Sequence, residues 1–196
     1  MPANKGHFEF AASILRRAEA EGKSFCFAFI QYDLAPGKQY PSQISQCIEM
    51  LRYALYTLGK DPSNIIFAGD SAGGTLVMSV LSHLLHPHPQ IRPINLQSPL
   101  KAAVIFSPWV NLEMTSGTVL QNQIQDPVSA DVMRGWARSY LGTAPLDNYN
   151  QPIIAPREWW QGLPVEHLLI SGAAHEMLAD DLVMFSETMK VWHYAL

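Results

Sequence analysis

A chain of 196 residues is long enough for one domain with a sizeable core, and 48% hydrophobic against 15% charged residues excludes a disordered chain. A net charge of -4 with no basic stripe argues against a nucleic-acid partner. The longest wholly apolar run, residues 25–30, is far short of the ~20 residues of a transmembrane helix. The first residues carry no apolar signal core, so the expected location is cytoplasmic. Cys26 and Cys47 lack metal-ligand spacing and are expected as two buried thiols.

Phe8, Ala11, Ile14, Leu15 and Ala18 recur at helical spacing and predict a helix over 7–21, ended by Gly22. Residues 24–32 are apolar on both faces and predict a buried strand of a covered parallel sheet. After the Ala35-Pro36-Gly37 break, Ile44, Ile48, Leu51, Leu55 and Leu58 predict a helix from a Ser42 N-cap to Gly59. A short strand over 64–69 runs into a glycine-rich turn, and an apolar helix follows over 75–85. A third strand is expected near 102–107, then an aperiodic cover segment over 110–128. Ser129 and Gly142 bracket a helix. Residues 143–164, rich in proline and tryptophan, read as irregular; a fourth strand near 166–171 and a helix from Met177 complete the chain. The alternation implies an α/β fold over residues 1–196 as one domain: a mainly parallel sheet flanked by helices, with a site at one sheet edge.

Gly69-Asp70-Ser71-Ala72-Gly73 matches G-x-S-x-G. The bare pattern is weak, but this one joins a buried strand to an apolar helix, which is the context its chemistry needs. A serine on that tight turn projects its hydroxyl from the sheet edge. The flanking glycines leave room for neighbouring backbone. The Ala72 N–H, with the helix N-terminus behind it, faces a developing oxyanion. Other readings are an ordinary glycine-rich turn with an N-cap serine, or a phosphate loop. The second lacks both a lysine and G-x-G-x-x-G spacing.

Tyr32-Asp33-Leu34-Ala35-Pro36 with Tyr40-Pro41, then Asp61-Pro62-Ser63-Asn64-Ile65, the run Gly69 through Gly74, Ser107-Pro108-Trp109 and Gly162-Leu163-Pro164 together resemble the hormone-sensitive-lipase-like branch of the α/β-hydrolases. The resemblance covers nearly the whole chain. It implies a serine hydrolase of small-molecule carboxylic esters, with a Ser–Asp/Glu–His triad in chain order; nothing in the sequence implies a metal or organic cofactor. Ser71 matches the nucleophile. Glu176, in Glu176-Met177-Leu178-Ala179-Asp180-Asp181, matches the acid, whereas Asp180 and Asp181 read as an acidic helix start.

Two family features have no match here: a His-Gly-Gly-Gly segment before the first helix, which would supply most of the oxyanion hole, and a histidine on a strand beyond the last helix. His83, twelve residues past Ser71 on one helix, lies roughly 18 Å away. His86, His88, His167, His175 and His193 are no better placed as a base. The expectation is an esterase core truncated at both ends and catalytically impaired. A non-catalytic small-molecule-binding or interaction relative of the fold is the alternative.

Overall fold

In the computed structural model, which describes residues 3–189, helix α1 spans Lys5–Ala20. Its start is a reciprocal cap. The Asn4 side chain accepts from the N–H groups of Gly6 and His7, and His7 Nδ1 accepts the Asn4 N–H at 3.0 Å. Gly22, at φ 70°, takes the left-handed conformation that ends it. Helix α2, Ser42–Arg52, continues into a π-helical turn at Tyr53–Thr57. Ser42 is its first residue and not its cap, because Pro41 holds the cap position and makes no side-chain bond there. Strand β1 (Ile66–Asp70), helix α3 (Ala72–Leu85) and strand β2 (Leu100–Phe106) follow. The cover segment contains a short helix the sequence did not reveal, α4 (Gly117–Asn122). Helix α5 (Ala130–Leu141), with the Ser129 hydroxyl accepting from Val132 N–H, then strand β3 (Val165–Ser171) and helix α6 (Ala179–Met189) complete the order.

The three strands form one parallel sheet, β1-β2-β3, with Ile66 opposite Ala102 and Ala102 opposite His167. Successive side chains alternate between faces. Ala103 and Ile105 of β2 lie fully buried on the face that α3 covers, in a cluster with Ile44, Ile48, Met78, Leu81 and Phe185. The other face meets α1 where Phe10 packs edge-on against Phe106, and it leaves Ile66 and Leu169 about half exposed. A second cluster under the cover segment joins Trp109, Met114, Met133 and Met177.

Residues 24–32 do not form the predicted strand. Apolar composition sets which side chains favour burial, but a strand also needs a hydrogen-bonding neighbour. Among the described residues this stretch has no ladder partner. The peptides of Ile65 and Ser71 face β2, as Lys101 N–H donates to Ile65 C=O and Ser71 N–H to Phe106 C=O. By the alternation of a parallel ladder, those of Ile66, Ala68 and Asp70 face outward. The stretch is exposed, with Phe29 against Phe8 at 4.6 Å and Phe25 and Phe27 open to solvent. Cys26 is exposed with it, contrary to expectation, while Cys47 is buried.

Beyond the far end of α3 a partly buried chain of hydrogen bonds ties three loops together. His88 Nδ1 accepts from Gln90 N–H, so a neutral His88 donates from Nε2 to Tyr40 Oη (3.0 Å), and the Tyr40 hydroxyl donates to Asp147 Oδ2 (2.6 Å). Burial pushes both His88 and its neighbour His83 below the ordinary imidazole pKa; Asp147 opposes the shift at His88 only in part. The unfolded chain then binds these protons at higher pH than the folded one. Their contribution to stability is intact above about pH 6.5 and is lost as pH falls through the lowered folded values. Urea unfolding is expected to show lower stability at pH 5.5 than at pH 7.5. His88→Gln, which keeps a donor toward Tyr40 but does not titrate, should flatten that slope.

Candidate active site

Ser71 stands between β1 and α3 at φ 52° and ψ -121°, a region rarely populated by residues with a side chain. The surrounding bonds over-determine this conformation. Its N–H donates to Phe106 C=O (2.9 Å), and its C=O accepts from Thr75 N–H (3.1 Å) and Trp109 N–H (3.2 Å). The Thr75 hydroxyl donates to Trp109 C=O at 2.6 Å, joining the first turn of α3 to the loop after β2. Ser71 itself is exposed at the sheet edge. Ala72 is the first residue of α3, where backbone N–H groups have no intrahelical acceptor and the helix dipole is positive.

Two glycines make the turn sterically possible, and they are not quite the two in the five-residue motif. A Cβ on Gly69 would lie 2.9 Å from Gly74 N and closer still to the Gly73 carbonyl. One on Gly74 would lie 2.8 Å from Ile105 Cγ2 and 3.0 Å from Pro108 Cβ. Gly73 has space, its nearest neighbour being Asp70 Oδ1 at 3.8 Å.

Glu176 follows β3 by five residues, at the same C-terminal edge of the parallel sheet. Its half-buried carboxylate accepts from the Ser107 hydroxyl (2.8 Å) and from Ala173 N–H through Oε1. Ser107 follows β2, and its N–H donates to Ser171 C=O at the end of β3. The ends of β1, β2 and β3 thus present Ser71, Ser107 and Glu176 side by side. Asp181 is buried, its carboxylate taking Asn111 Nδ2 and the Ser116 hydroxyl, and burial raises its pKa despite those bonds. Asp180 accepts the Thr118 N–H. Both acids tie α6 to the cover segment.

Six of the seven histidines lie among the described residues, and one of them is an addition to the candidates the sequence offered. His83 is buried and accepts the His88 N–H. His86 stacks on Trp159 and bonds its carbonyl. His88 belongs to the Tyr40 chain, His167 lies within β3 and His175 is exposed. His193 lies outside the described residues. The addition is His7, which sequence reasoning passed over. Its Nε2 lies 3.2 Å from Asp70 Oδ2 and 3.3 Å from Oδ1, beside the Ser71 turn. Its Nδ1 is taken by the Asn4 N–H, so neutral His7 donates to Asp70 and has no lone pair left for a serine proton. It fastens the start of α1 to the turn. Of the tryptophans, Trp109 and Trp160 are core residues, and Trp136 is exposed on α5. Among the described residues no group of three or more His, Cys, Asp or Glu could hold a metal, and no helix is long and apolar enough to cross a membrane.

A strand–turn–helix serine, strained and aligned with an acid two strands away, is the arrangement of one fold family. The profile of the α/β-hydrolase fold family matches residues 6–194, and the chain belongs to that family. It is 30% identical over 161 residues to an esterase of Acinetobacter venetianus, covering 81% of this chain and 48% of the relative. It is 27% identical over 179 residues to carboxylesterase NlhH of Mycobacterium tuberculosis, covering 88% and 53%. Among solved structures, an esterase of the bacterial hormone-sensitive lipase family superposes with a TM-score of 0.68 at 31% identity, covering 82% of this chain and 50% of that one. The esterase EstE5, in a crystal soaked with p-nitrophenyl butyrate, gives 0.69 at 27% identity, covering 83% and 50%. The chain spans about half the length of these relatives.

Proposed function

We propose that this chain, as a single domain, carries the nucleophile and the acid of a carboxylic ester hydrolase. Ser71 is the nucleophile, Glu176 the triad acid and the Ala72 N–H an oxyanion donor. The observation that carries the reading is the positive-φ Ser71 on the β1–α3 turn, with Glu176 held at the same edge through Ser107. In the reaction, Ser71 Oγ attacks the ester carbonyl carbon as a base takes its proton. The tetrahedral oxyanion collapses to an acyl-serine with release of the alcohol, and water then frees the acid and restores the serine. Glu176 would orient the imidazole that serves as base and stabilise its charged form.

None of His7, His83, His86 and His88 is placed to be that base: each is engaged as described above. The 196-residue chain is therefore expected to turn over esters slowly. Loss of one oxyanion donor costs roughly 100- to 1000-fold, and loss of the base typically a further 100- to 10,000-fold. The test sets this chain beside a version extended through its genomic flanks. Both are assayed with p-nitrophenyl butyrate and a fluorophosphonate probe. The extended protein should label at Ser71 and hydrolyse the ester, with the 196-residue chain several orders of magnitude slower. Equal turnover would show that a residue within the chain serves as base. An extended protein that binds esters but neither labels nor hydrolyses would favour the non-catalytic reading, whose motive is that His7, His83, His86 and His88, among the described residues, are all engaged elsewhere.

A further inference from the structure

The loop that carries Glu176, between β3 and α6, has no regular structure of its own, yet both sides of the peptide that follows Glu176 are gripped by one other segment. Asn122 Nδ2, at the end of α4, donates to Glu176 C=O at 3.0 Å. Asp126 Oδ2 accepts Met177 N–H at 3.2 Å. These two groups belong to a single peptide plane and point in opposite directions, so bonding both blocks its rotation. One residue further on, the Thr118 hydroxyl donates to Met177 C=O at 3.0 Å. On the other side, Glu176 Oε1 folds back onto Ala173 N–H, and the Cβ of any residue but glycine at 172 would crowd that same oxygen at 3.0 Å. The carboxylate is aimed by its backbone, and that backbone is held both locally, by Ala179 N–H on the Glu176 C=O at 3.2 Å, and from the cover segment by Asn122 and Asp126.

We infer that Asn122 and Asp126 are positioning residues for the Glu176 carboxylate; this rests on Glu176 being the acid proposed above. The four-residue spacing from Asn122 to Asp126 spans the end of α4, so the two side chains reach the Glu176–Met177 peptide from successive points of one turn. Asn122 is buried and Asp126 half-buried. A glutamate needs such a brace more than an aspartate does, because its extra methylene adds a torsion that the loop backbone must constrain.

The Ala173 amide proton reports the carboxylate directly, since it is bonded to Glu176 Oε1. Amide exchange is therefore followed by NMR on the folded chain. Asp126→Ala and the isosteric Asn122→Asp, which sets an acceptor against the Glu176 carbonyl, should each speed Ala173 exchange by about tenfold, the effect of one weakened hydrogen bond. Asp126→Asn, which retains an acceptor oxygen, should restore slow exchange. Ser116→Ala cuts a different tie between cover segment and α6 and should leave Ala173 unchanged. Should Asp126→Ala not fold, Asn122→Asp with Asp126→Asn still decides the matter. Unchanged Ala173 exchange in folded Asn122→Asp and Asp126→Ala overturns the inference, as does equal acceleration in Ser116→Ala. Fluorophosphonate labelling of the extended protein reads the catalytic proposal separately, so either idea can fail without the other.

Discussion

Ser71→Gly is expected to abolish fluorophosphonate labelling and ester hydrolysis in the extended protein while making the 196-residue chain more stable by about 1 kcal/mol. The expectation comes from the backbone. At φ 52° and ψ -121° the Ser71 side chain occupies a region that costs roughly 1–3 kcal/mol for any residue with a Cβ. Glycine has no such penalty, although its greater freedom in the unfolded chain takes back roughly 0.5–1 kcal/mol. The bonds that impose the conformation are all made by the Ser71 backbone, to Phe106, Thr75 and Trp109, and survive the substitution. Ser71→Ala removes the same hydroxyl but keeps the Cβ. It should be as inactive as the glycine variant and no more stable than the parent, within about 0.5 kcal/mol. Urea midpoints for the three chains give the comparison. If the glycine and alanine variants unfold together, the turn is not strained, and one support for a nucleophile at this position is gone.

The turn was legible because its determinants are contiguous: an apolar strand, Gly69 through Gly74 and an apolar helix lie within about twenty residues. Glu176 was reached only through resemblance, since an acid before a helix has an ordinary explanation in the helix dipole. The bonds to the peptide that follows it join residues 54 and 51 apart, Asn122 to Glu176 and Asp126 to Met177, and no spacing rule reaches across such a gap. His7 and Asp70, 63 residues apart, escaped notice for the same reason. The clearest failure, the strand expected at 24–32, has a different cause. Phe25, Cys26, Phe27, Ala28, Phe29 and Ile30 say that the stretch favours burial, but pairing is a property of two segments. Among the described residues no strand pairs with the outward edge of β1. The steric role of Gly74 was half visible. The sequence shows two glycines in a row after Ala72, and only the packing of Ile105 and Pro108 tells which of them is needed.

Gly69→Ala should destabilise the chain by about 3 kcal/mol or more, whereas Gly73→Ala should be neutral or stabilising by up to about 1 kcal/mol. A Cβ on Gly69 meets the Gly73 carbonyl and the Gly74 nitrogen. These are backbone atoms in the first turn of α3, and no rotamer change can move them aside. Relief would require β1 and α3 to separate, but Thr75 N–H of α3 donates to the Ser71 C=O that follows β1, and Ser71 N–H in turn donates to Phe106 C=O of β2. Separation would also open the Met78 and Leu81 side of the core. Gly73 sits within the same helical turn with its nearest neighbour at 3.8 Å, so an added methyl there fills space and reduces the entropy of the unfolded chain. Gly69→Ala should also slow probe labelling of the extended protein by at least tenfold at temperatures where it stays folded, because the serine is aimed by the turn that the methyl deforms. Gly73→Ala should label at the parental rate. Thermal and urea unfolding of both variants, followed by labelling kinetics, checks each part. Equal midpoints for the two would mean that β1 and α3 can part without cost. The strand–turn–helix could not then hold a strained serine in place.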